Sequence, residues 1–313
     1  MKSLKNNRGT NLIELLIAMA IFGILIGVVL SLYSTMLKYA ASSRKIAKTQ
    51  SDTTNVVWPL FKEIESAGFG VPASNSGSAC SPAVNFAASV LTVHSTASGD
   101  QTGTGSWSYI GANCLTSLTN GQSVAIINPA DKSYISSLAT VGAGGNLSGC
   151  QSSWQGNIAY WIPTGGALSC YETNYTLSAY TTGTNAAPAI CAQGTSKLAR
   201  SVSTNAGSTN YQPMLDCVLA ADYRFGCIDT NGNVIWQSGT TCSNLNSNGN
   251  YNPRLIRIGL VFQESTRNDG QGSSSTITLF GDTQSPNTIT LTSNQRYYKW
   301  RAIERTIALR NLE

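Results

Sequence analysis

The carboxylate of Glu14 is the side chain whose position most clearly suggests a chemical role. It lies near the start of an apolar run from Leu12 to Leu32, shortly after Arg8-Gly9-Thr10. A carboxylate inside a membrane-spanning helix costs about 2.5–3.5 kcal/mol even on lenient insertion scales. The segment's own folding does not need this acid, so we expect a partner outside the segment to require it.

The other ionisable side chains do not indicate catalysis. His94 is the only histidine, and it ends the apolar sequence Val90–His94, which predicts a strand with a structural histidine. The sequence contains no nucleophile elbow, phosphate-binding loop or paired-carboxylate motif. We therefore expect a protein that is not an enzyme and that uses no cofactor.

Asp229, Asn231 and Asn233 alternate as the oxygen ligands of a Ca²⁺-binding loop do. The glycine of such a loop comes too early here, at Gly232, and no glutamate closes the loop. The same residues form an Asn-Gly turn between two apolar runs, which is a strong β-hairpin signal. A turn is favoured, a weak Ca²⁺ site remains the alternative, and no other metal site is predicted.

The segment Arg296–Arg301 alternates basic and aromatic residues near the C-terminus. It could stack on and pair with DNA or another polyanion, but a strand with a basic face and an aromatic face explains it equally well. The net charge of +5 includes Lys2, Lys5 and Arg8, and without them 17 Lys and Arg face 15 Asp and Glu. Because this is no clustered basic face, nucleic acid is not an expected partner.

Eight cysteines follow the apolar run, and an even number in an exported region predicts disulfides. They are Cys80, Cys114, Cys150, Cys170, Cys191, Cys217, Cys227 and Cys242. A zinc site would need closely spaced pairs, and the nearest two cysteines are ten residues apart. The connectivity stays open; bridges between cysteines near in sequence, closing loops such as Gly142–Gly149, are the default expectation. The compartment is therefore oxidising.

The composition is that of a folded, turn-rich surface protein. Charged residues make up only 11 % of the 313 residues, while apolar residues make up 42 %. Ser, Thr, Gly and Asn are abundant after about Ser74. The apolar fraction supplies a core and argues against disorder, and the length allows one large domain or two ordinary ones.

Residues 10–67 are predicted to form one long helix, which is apolar on all sides over about 12–32 and long enough there to cross a membrane. Past Tyr33 the apolar residues keep helical spacing on one face. Pro59 predicts a kink or restart, and Gly68 predicts the helix end. A secretory signal peptide would have a shorter apolar region and a small-residue cleavage site.

Beyond Val71, short apolar or alternating runs separated by Gly, Asn, Ser and Pro predict an antiparallel β region over residues 68–313. The predicted strands are Ser89–His94, Ser123–Ile127, Asn157–Ile162, Leu219–Ile228, Val234–Gln237, Leu255–Gln263, Ser275–Phe280 and Asn287–Leu291. Residues 137–210 carry few strand signals and are interpreted as a disulfide-tied insertion. The predicted fold class is α+β, with the second half of the long helix packed on an antiparallel sheet.

The basic residues before Gly9, the glycine itself and Glu14 resemble the type III signal of type IV pilins and pseudopilins. In that family a prepilin peptidase cleaves after the glycine and methylates the new amine. The resemblance implies a cytoplasmic leader over residues 1–9, cleavage between Gly9 and Thr10, N-methylation of Thr10, and pairing of Glu14 with the amine of a neighbouring subunit. Thr10 stands where the family usually has Phe, which suits a minor component better than a major subunit.

Both ends of the chain are similar to minor pilins of the PilW type. Leu60–Gly70 resembles the end of their long helix, and Tyr297–Leu312 resembles their closing segment with its Leu-Arg-Asn ending. The resemblance implies a pilin-type fold and a place in a priming or tip complex of a type IV pilus, with other minor and major pilins and a tip adhesin. Such a complex serves pilus assembly, adhesion and twitching motility.

The same resemblance implies a single pass through the inner membrane with a cytoplasmic N-terminus, followed by extraction into an extracellular pilus. Two alternatives remain open. A J-type pseudopilin of type II secretion has the same signal and helix, although such proteins are usually shorter and poorer in cysteine. A membrane-anchored adhesin or lectin that never polymerises would leave Glu14 unexplained.

Overall fold

A computed structural model of the chain contains one long helix and fourteen strands among the residues it describes. The described residues are 12–71, 80, 82–87, 89–97, 104–163, 170–181, 186–204, 210–229, 231–238, 253–264, 274–283 and 286–312. They divide into two compact units, residues 1–51 and residues 52–313. The predicted α+β fold class, with a long N-terminal helix and antiparallel sheets, is confirmed.

The helix α1 extends from Leu12 to Glu65. Within Ile13–Ala41 an 18-residue stretch has a mean hydropathy of 2.9, and none of that stretch is buried. A helix of this length and composition is sufficient to cross a membrane. Met36 and Tyr39, which follow the apolar run, are also exposed.

The last turns of α1, which belong to the second unit, pack against a sheet. Val57, Leu60, Phe61 and Ile64 have the spacing i, i+3, i+4, i+7 and are all buried. Full burial of such side chains contributes roughly 1.5–3 kcal/mol each, so this short stretch is firmly held. The predicted contact between the helix and the sheet is therefore present within the second unit, at the end of α1.

The helix continues through Pro59 and ends at Glu65 rather than at residue 67. Proline has no amide hydrogen, so one intrahelical hydrogen bond is missing, but the helix does not restart. Gly68 follows with a φ of 77°, a left-handed conformation that favours glycine, and its amide donates to the His94 carbonyl over 2.9 Å. This turn directs the chain into the β region.

All the strand pairs are antiparallel among the described residues. The strands are β1 Val84–Ala87, β2 Val90–Ser95, β3 Trp107–Tyr109, β4 Ser123–Ile127, β5 Tyr134–Thr140, β6 Ile158–Trp161, β7 Tyr171–Ala179, β8 Ser196–Thr204, β9 Gln212–Ile228, β10 Val234–Gln237, β11 Leu255–Gln263, β12 Thr276–Leu279, β13 Asn287–Thr290 and β14 Trp300–Ala308.

Three sheets are formed. The large sheet has the order β1-β2-β7-β8-β9-β11-β14, with β10 paired to β9, and the end of α1 packs on its core of large apolar and aromatic side chains. The small sheet has the order β3-β6-β4-β5 and a separate core that includes Ile126 and Trp154. Strands β12 and β13 form a two-stranded sheet.

The expectation of few strands within residues 137–210 is wrong. Strands β7 and β8 lie there, and they are interior strands of the large sheet. They escape a search for apolar alternation because polar residues such as Thr173 and Ser201 occupy buried positions. Thr and Tyr nevertheless favour strands through their β-branched or aromatic shape.

Three disulfides join Cys80 to Cys170, Cys114 to Cys150 and Cys191 to Cys217. Cys227 is also disulfide-bonded, whereas Cys242 lies outside the described residues. The default of bridges between neighbouring cysteines is wrong for Cys80–Cys170, which spans 90 residues. Its physical reason is the topology, because β1, β2 and β7 are neighbours in the large sheet although a whole second sheet separates β2 from β7 in sequence.

Candidate functional site

Glu14 lies in the first turn of the described part of α1. Its neighbours Ile13 and Leu15 are 65 % and 56 % exposed, and no ion pair joins Glu14 to any other described residue. A carboxylate at a helix N-terminus gains about 0.3–1 kcal/mol from the helix dipole. Because this is smaller than the roughly 2.5–3.5 kcal/mol that an acid costs in a membrane, the helix alone does not account for Glu14.

The predicted cleavage junction, Gly9 and Thr10, lies outside the described residues. Its relation to Glu14 is therefore one of sequence spacing: Thr10 precedes Glu14 by four residues, or about one helical turn. Cleavage, methylation and the pairing of Glu14 stay predictions.

A polar cluster joins the end of the helix to the large sheet; we call Glu63, Tyr175 and Arg200 the helix anchor. Arg200 Nε donates to Glu63 Oε2 over 2.8 Å, and Arg200 Nη2 donates to Glu63 Oε1. The Tyr175 hydroxyl donates to Glu63 Oε2 as well. The paired donation from a guanidinium is the strong, bidentate form of a charged hydrogen bond. One helix carboxylate is thus held by β7 and β8 together.

Burial makes the helix anchor matter for stability. Tyr175 is fully buried, while the Glu63 and Arg200 side chains keep 22 % and 26 % exposure. Burial and the nearby Glu63 carboxylate hold the pKa of Tyr175 well above its usual value, so its hydroxyl stays protonated and donates. A charge that is partly removed from water is destabilised strongly if it loses its partner. Glu63 and Arg200 therefore stay together, and their contact fixes the helix end on the sheet.

Residues near the C-terminus also contact the helix end. The Arg305 guanidinium of β14 lies over the rings of Trp58 and Phe61, 5.5 Å and 4.9 Å from their centroids. The side-chain amide of Asn311 donates to the carbonyl oxygens of Ala67 and Glu65 over 3.2 Å and 3.5 Å. The final carbonyls of a helix lack intrahelical partners, so Asn311 caps the helix from a distant part of the sequence.

Among the described residues, His94 contacts the Pro82 carbonyl and the Glu172 carboxylate. Its side chain is buried, Nδ1 lies 2.6 Å from the Pro82 carbonyl oxygen, and Nε2 lies 3.6 Å from Glu172 Oε2. These contacts join β2 to its neighbours within the large sheet. They agree with the predicted structural role of this histidine.

Asp229 forms the turn of the β9–β10 hairpin. Its Oδ1 accepts the backbone amides of Asn231 and Asn233 over 2.8 Å and 2.7 Å, and its Oδ2 accepts the Asn233 side-chain amide over 3.1 Å. Both carboxylate oxygens are thus used within the turn, as in an Asx-turn. The predicted turn is thus formed, and the weak Ca²⁺ site stays a prediction. Among the described residues there is no cluster of three or more His, Cys, Asp or Glu that could hold a metal ion.

The basic residues at the start of β14 are paired within the domain. Lys299 Nζ lies 2.7 Å from Glu264 Oε2, and Arg301 Nη1 lies 3.6 Å from Glu264 Oε1. Trp300 donates its ring N–H to the Gln295 carbonyl over 2.8 Å. Only Trp300 and Arg301 belong to β14, at the edge of the large sheet, whereas residues 295–297 form a 3-10 turn. The predicted strand with a basic and an aromatic face is therefore wrong for most of this segment.

The helix anchor is the functional feature that sequence reasoning missed. Glu63 and Arg200 are 137 residues apart, and neither lies in a recognised motif. The available signal was Glu63 itself, a charged residue between the buried Leu60 and Ile64 on the helix face that packs on the sheet. A charged residue at such a position predicts an opposite charge on the facing strands.

Comparison with known proteins bears mainly on the N-terminus. The family described as the prokaryotic N-terminal methylation motif matches residues 5–30. No curated protein matches the chain. Among solved structures, a type IV-like pilin from Thermus thermophilus matches with a TM-score of 0.37 and 13 % identity, over 85 % of this chain and 98 % of that one. A likeness this low carries no argument about function, so the motif is the informative match.

Proposed function

We propose that this chain is a minor pilin of a type IV pilus, similar to the PilW type, that prepilin peptidase processes before assembly. The observation that carries the proposal is the position of Glu14. It lies within the matched methylation motif and at the start of a helix whose apolar surface is exposed from Ile13 to Ala41. An exposed apolar helix with one acid can first cross a membrane and can later pack in a bundle of similar helices, as in a filament core.

Removal of residues 1–9 would create a positive amine on Thr10. In a bundle of parallel helices that amine is costly alone, and so is the Glu14 carboxylate, whereas the two together offset much of the penalty. Within one chain they are about one helical turn apart along the axis. A neighbouring helix shifted by about one turn therefore brings its amine level with Glu14, which gives both charge neutralisation and register.

The same chemistry supports a place first in the inner membrane, with the leader in the cytoplasm, and then in the pilus. The disulfides of the second unit require an oxidising compartment, which for this signal is the periplasm. Thr10 in place of the usual Phe and the likeness of both chain ends to PilW-type pilins support a priming or tip complex with other minor pilins and a tip adhesin.

Processing gives the first direct test. The mature chain is expected to begin at Thr10 with a methylated amine, as read by N-terminal mass spectrometry of membrane and pilus fractions. Gly9→Val is expected to block cleavage, because a bulky residue replaces the small one at the junction. Asn6→Val is the matched control in the same leader and should be cleaved normally. An uncut wild-type chain in a strain with active peptidase would refute the proposal.

Deletion of the gene separates a pilus from a secretion system. Loss of surface pili and of twitching, with normal release of secreted proteins, is the expected result for a minor pilin. Loss of protein secretion with intact pili would instead assign the chain to the pseudopilins. Complementation with the wild-type gene is the control that ties either defect to this chain.

A further inference from the structure

The small sheet exposes a pair of aromatic rings on its edge strand. Trp107 and Tyr109 of β3 point to the same side, and they are 48 % and 61 % exposed. Their ring centroids are 5.6 Å apart with the planes nearly perpendicular. Ser108, which points to the opposite side, is buried, so the strand is held by its other face while the two rings stay in solvent.

A hollow of about 330 Å³ lies beside Trp107. It is lined by hydroxyl and amide groups together with the indole: Gly105, Ser106, Trp107, Ser117, Leu118, Thr119 and Gln122. The volume reaches the lower end of the range of small-ligand sites, about 300–1,000 Å³. Aromatic rings next to adaptable hydroxyl and amide groups are the combination that antibody binding loops use.

Gln122 gives the hollow an oriented polar group. Its side-chain oxygen accepts the Thr119 backbone amide over 2.9 Å, which fixes the amide plane. No other described residue takes the N–H donors of this amide, and they remain available to an acceptor on a ligand. The hollow thus presents donors and acceptors of hydrogen bonds without presenting a charge.

The segment 104–163, which supplies the small sheet and the lining of the hollow, carries few charges. Between residues 104 and 163 the only ionisable acid or base side chains of Asp, Glu, Lys or Arg are Asp131 and Lys132. Both lie in the turn between β4 and β5, and β5 is the strand at the opposite edge of the small sheet from β3. Within this segment a polyanion or an acidic peptide finds no charged partner beside the hollow, whereas an uncharged polar ligand needs none.

We infer that Trp107, Tyr109 and the adjoining hollow bind an uncharged oligosaccharide. A sugar ring has an apolar C–H face, which can stack on an exposed indole or phenol, and a rim of hydroxyls, which suits the hydroxyl and amide lining. The inference stands on the small sheet alone and does not depend on whether the protein assembles into a pilus.

The test uses the full chain in detergent on an array of uncharged glycans. Titration calorimetry follows with cellohexaose, maltohexaose and N-acetylchitohexaose, and with the strongest array ligand. Binding to at least one uncharged glycan is expected, with little dependence on salt because no charges are paired. Trp107→Ala is expected to weaken it at least tenfold, and the double variant with Tyr109→Ala to abolish it.

Leu138→Ala is the matched control, since this large residue is 46 % exposed on β5 of the same sheet, away from the hollow. It should leave both binding and thermal stability unchanged. The inference is overturned by the absence of binding on the whole array and in all titrations, by binding restricted to charged glycans, or by full binding in the double variant. It also fails if the double variant loses a protein partner while wild-type protein binds no glycan.

Discussion

Replacement of Glu14 by alanine is expected to lower the amount of this protein in sheared pili several-fold while leaving its amount in the membrane unchanged. The variant removes an acid from the apolar segment, which makes membrane insertion easier. In the assembled state it leaves the amine of a neighbour without its counter-charge, and loss of one partner of a buried pair costs about 3–5 kcal/mol. A subunit at the tip lacks some neighbours, so we expect incorporation into pili to be reduced rather than abolished.

Glu14→Gln sharpens this experiment because it keeps the shape and removes only the charge. If charge pairing is the reason for Glu14, the glutamine variant should be almost as defective as the alanine variant. Ser34→Ala is the control on the same exposed helix, and it should be incorporated at the wild-type level. Immunoblots of pilus and membrane fractions give the measurement. Incorporation of Glu14→Ala at the wild-type level would contradict the pairing.

Glu63→Ala is expected to destabilise the second unit by about 2 kcal/mol, because it leaves Arg200 and the buried Tyr175 hydroxyl without their shared acceptor. For a unit of this size the melting temperature should fall by roughly 4–8 °C. Calorimetry of the detergent-solubilised chain with its disulfides intact measures the change. The decrease should accompany a looser helix end, since the anchor is the charged contact between α1 and the interior strands.

Two variants calibrate that result. Glu63→Gln keeps an acceptor for Tyr175 and loses only the charge, so a smaller decrease is expected than for alanine. Glu65→Ala removes the same type of side chain two residues later on the helix, where it forms an exposed pair with Lys62. Such pairs contribute roughly 0–1 kcal/mol. Equal destabilisation by the variants at Glu63 and Glu65 would show that the helix anchor has no special role.

The helix and the aliphatic strands could be predicted because an apolar environment requires apolar residues, which can be recognised directly in the sequence. Ser123–Ile127 and Leu255–Gln263 are rich in apolar residues, and the predicted ranges coincide with β4 and β11. Strands β7 and β8 could not be predicted in this way, since several of their buried residues are polar. The hydroxyls of Thr173 and Ser201 have no hydrogen-bond partner among the described residues, whereas other polar groups find partners across the sheet. Asn174, for example, accepts a hydrogen bond from Thr92 of β2 over 2.6 Å.

Part of the candidate site could likewise be predicted from the sequence, and part of it could not. Glu14 could be identified because one acid in a long apolar run is unusual wherever the chain folds. Glu63, Tyr175 and Arg200 could not be grouped, because the pairing of helix and strands brings together residues more than a hundred positions apart. The bridge from Cys80 to Cys170 was hidden for that reason too, as the chain completes the small sheet between its two cysteines.

The cap that Asn311 places on the helix has a consequence for the order of synthesis. The carbonyls of Glu65 and Ala67 emerge from the ribosome 246 and 244 residues before the amide that satisfies them. Strand β11 likewise remains an open edge until β14 arrives to cover it. A polypeptide truncated before these residues therefore has an unpaired strand edge and helix carbonyls without their cap, and both lower the local stability. The helix cap and the β11–β14 pairing can therefore both form only after Asn311 has been synthesised.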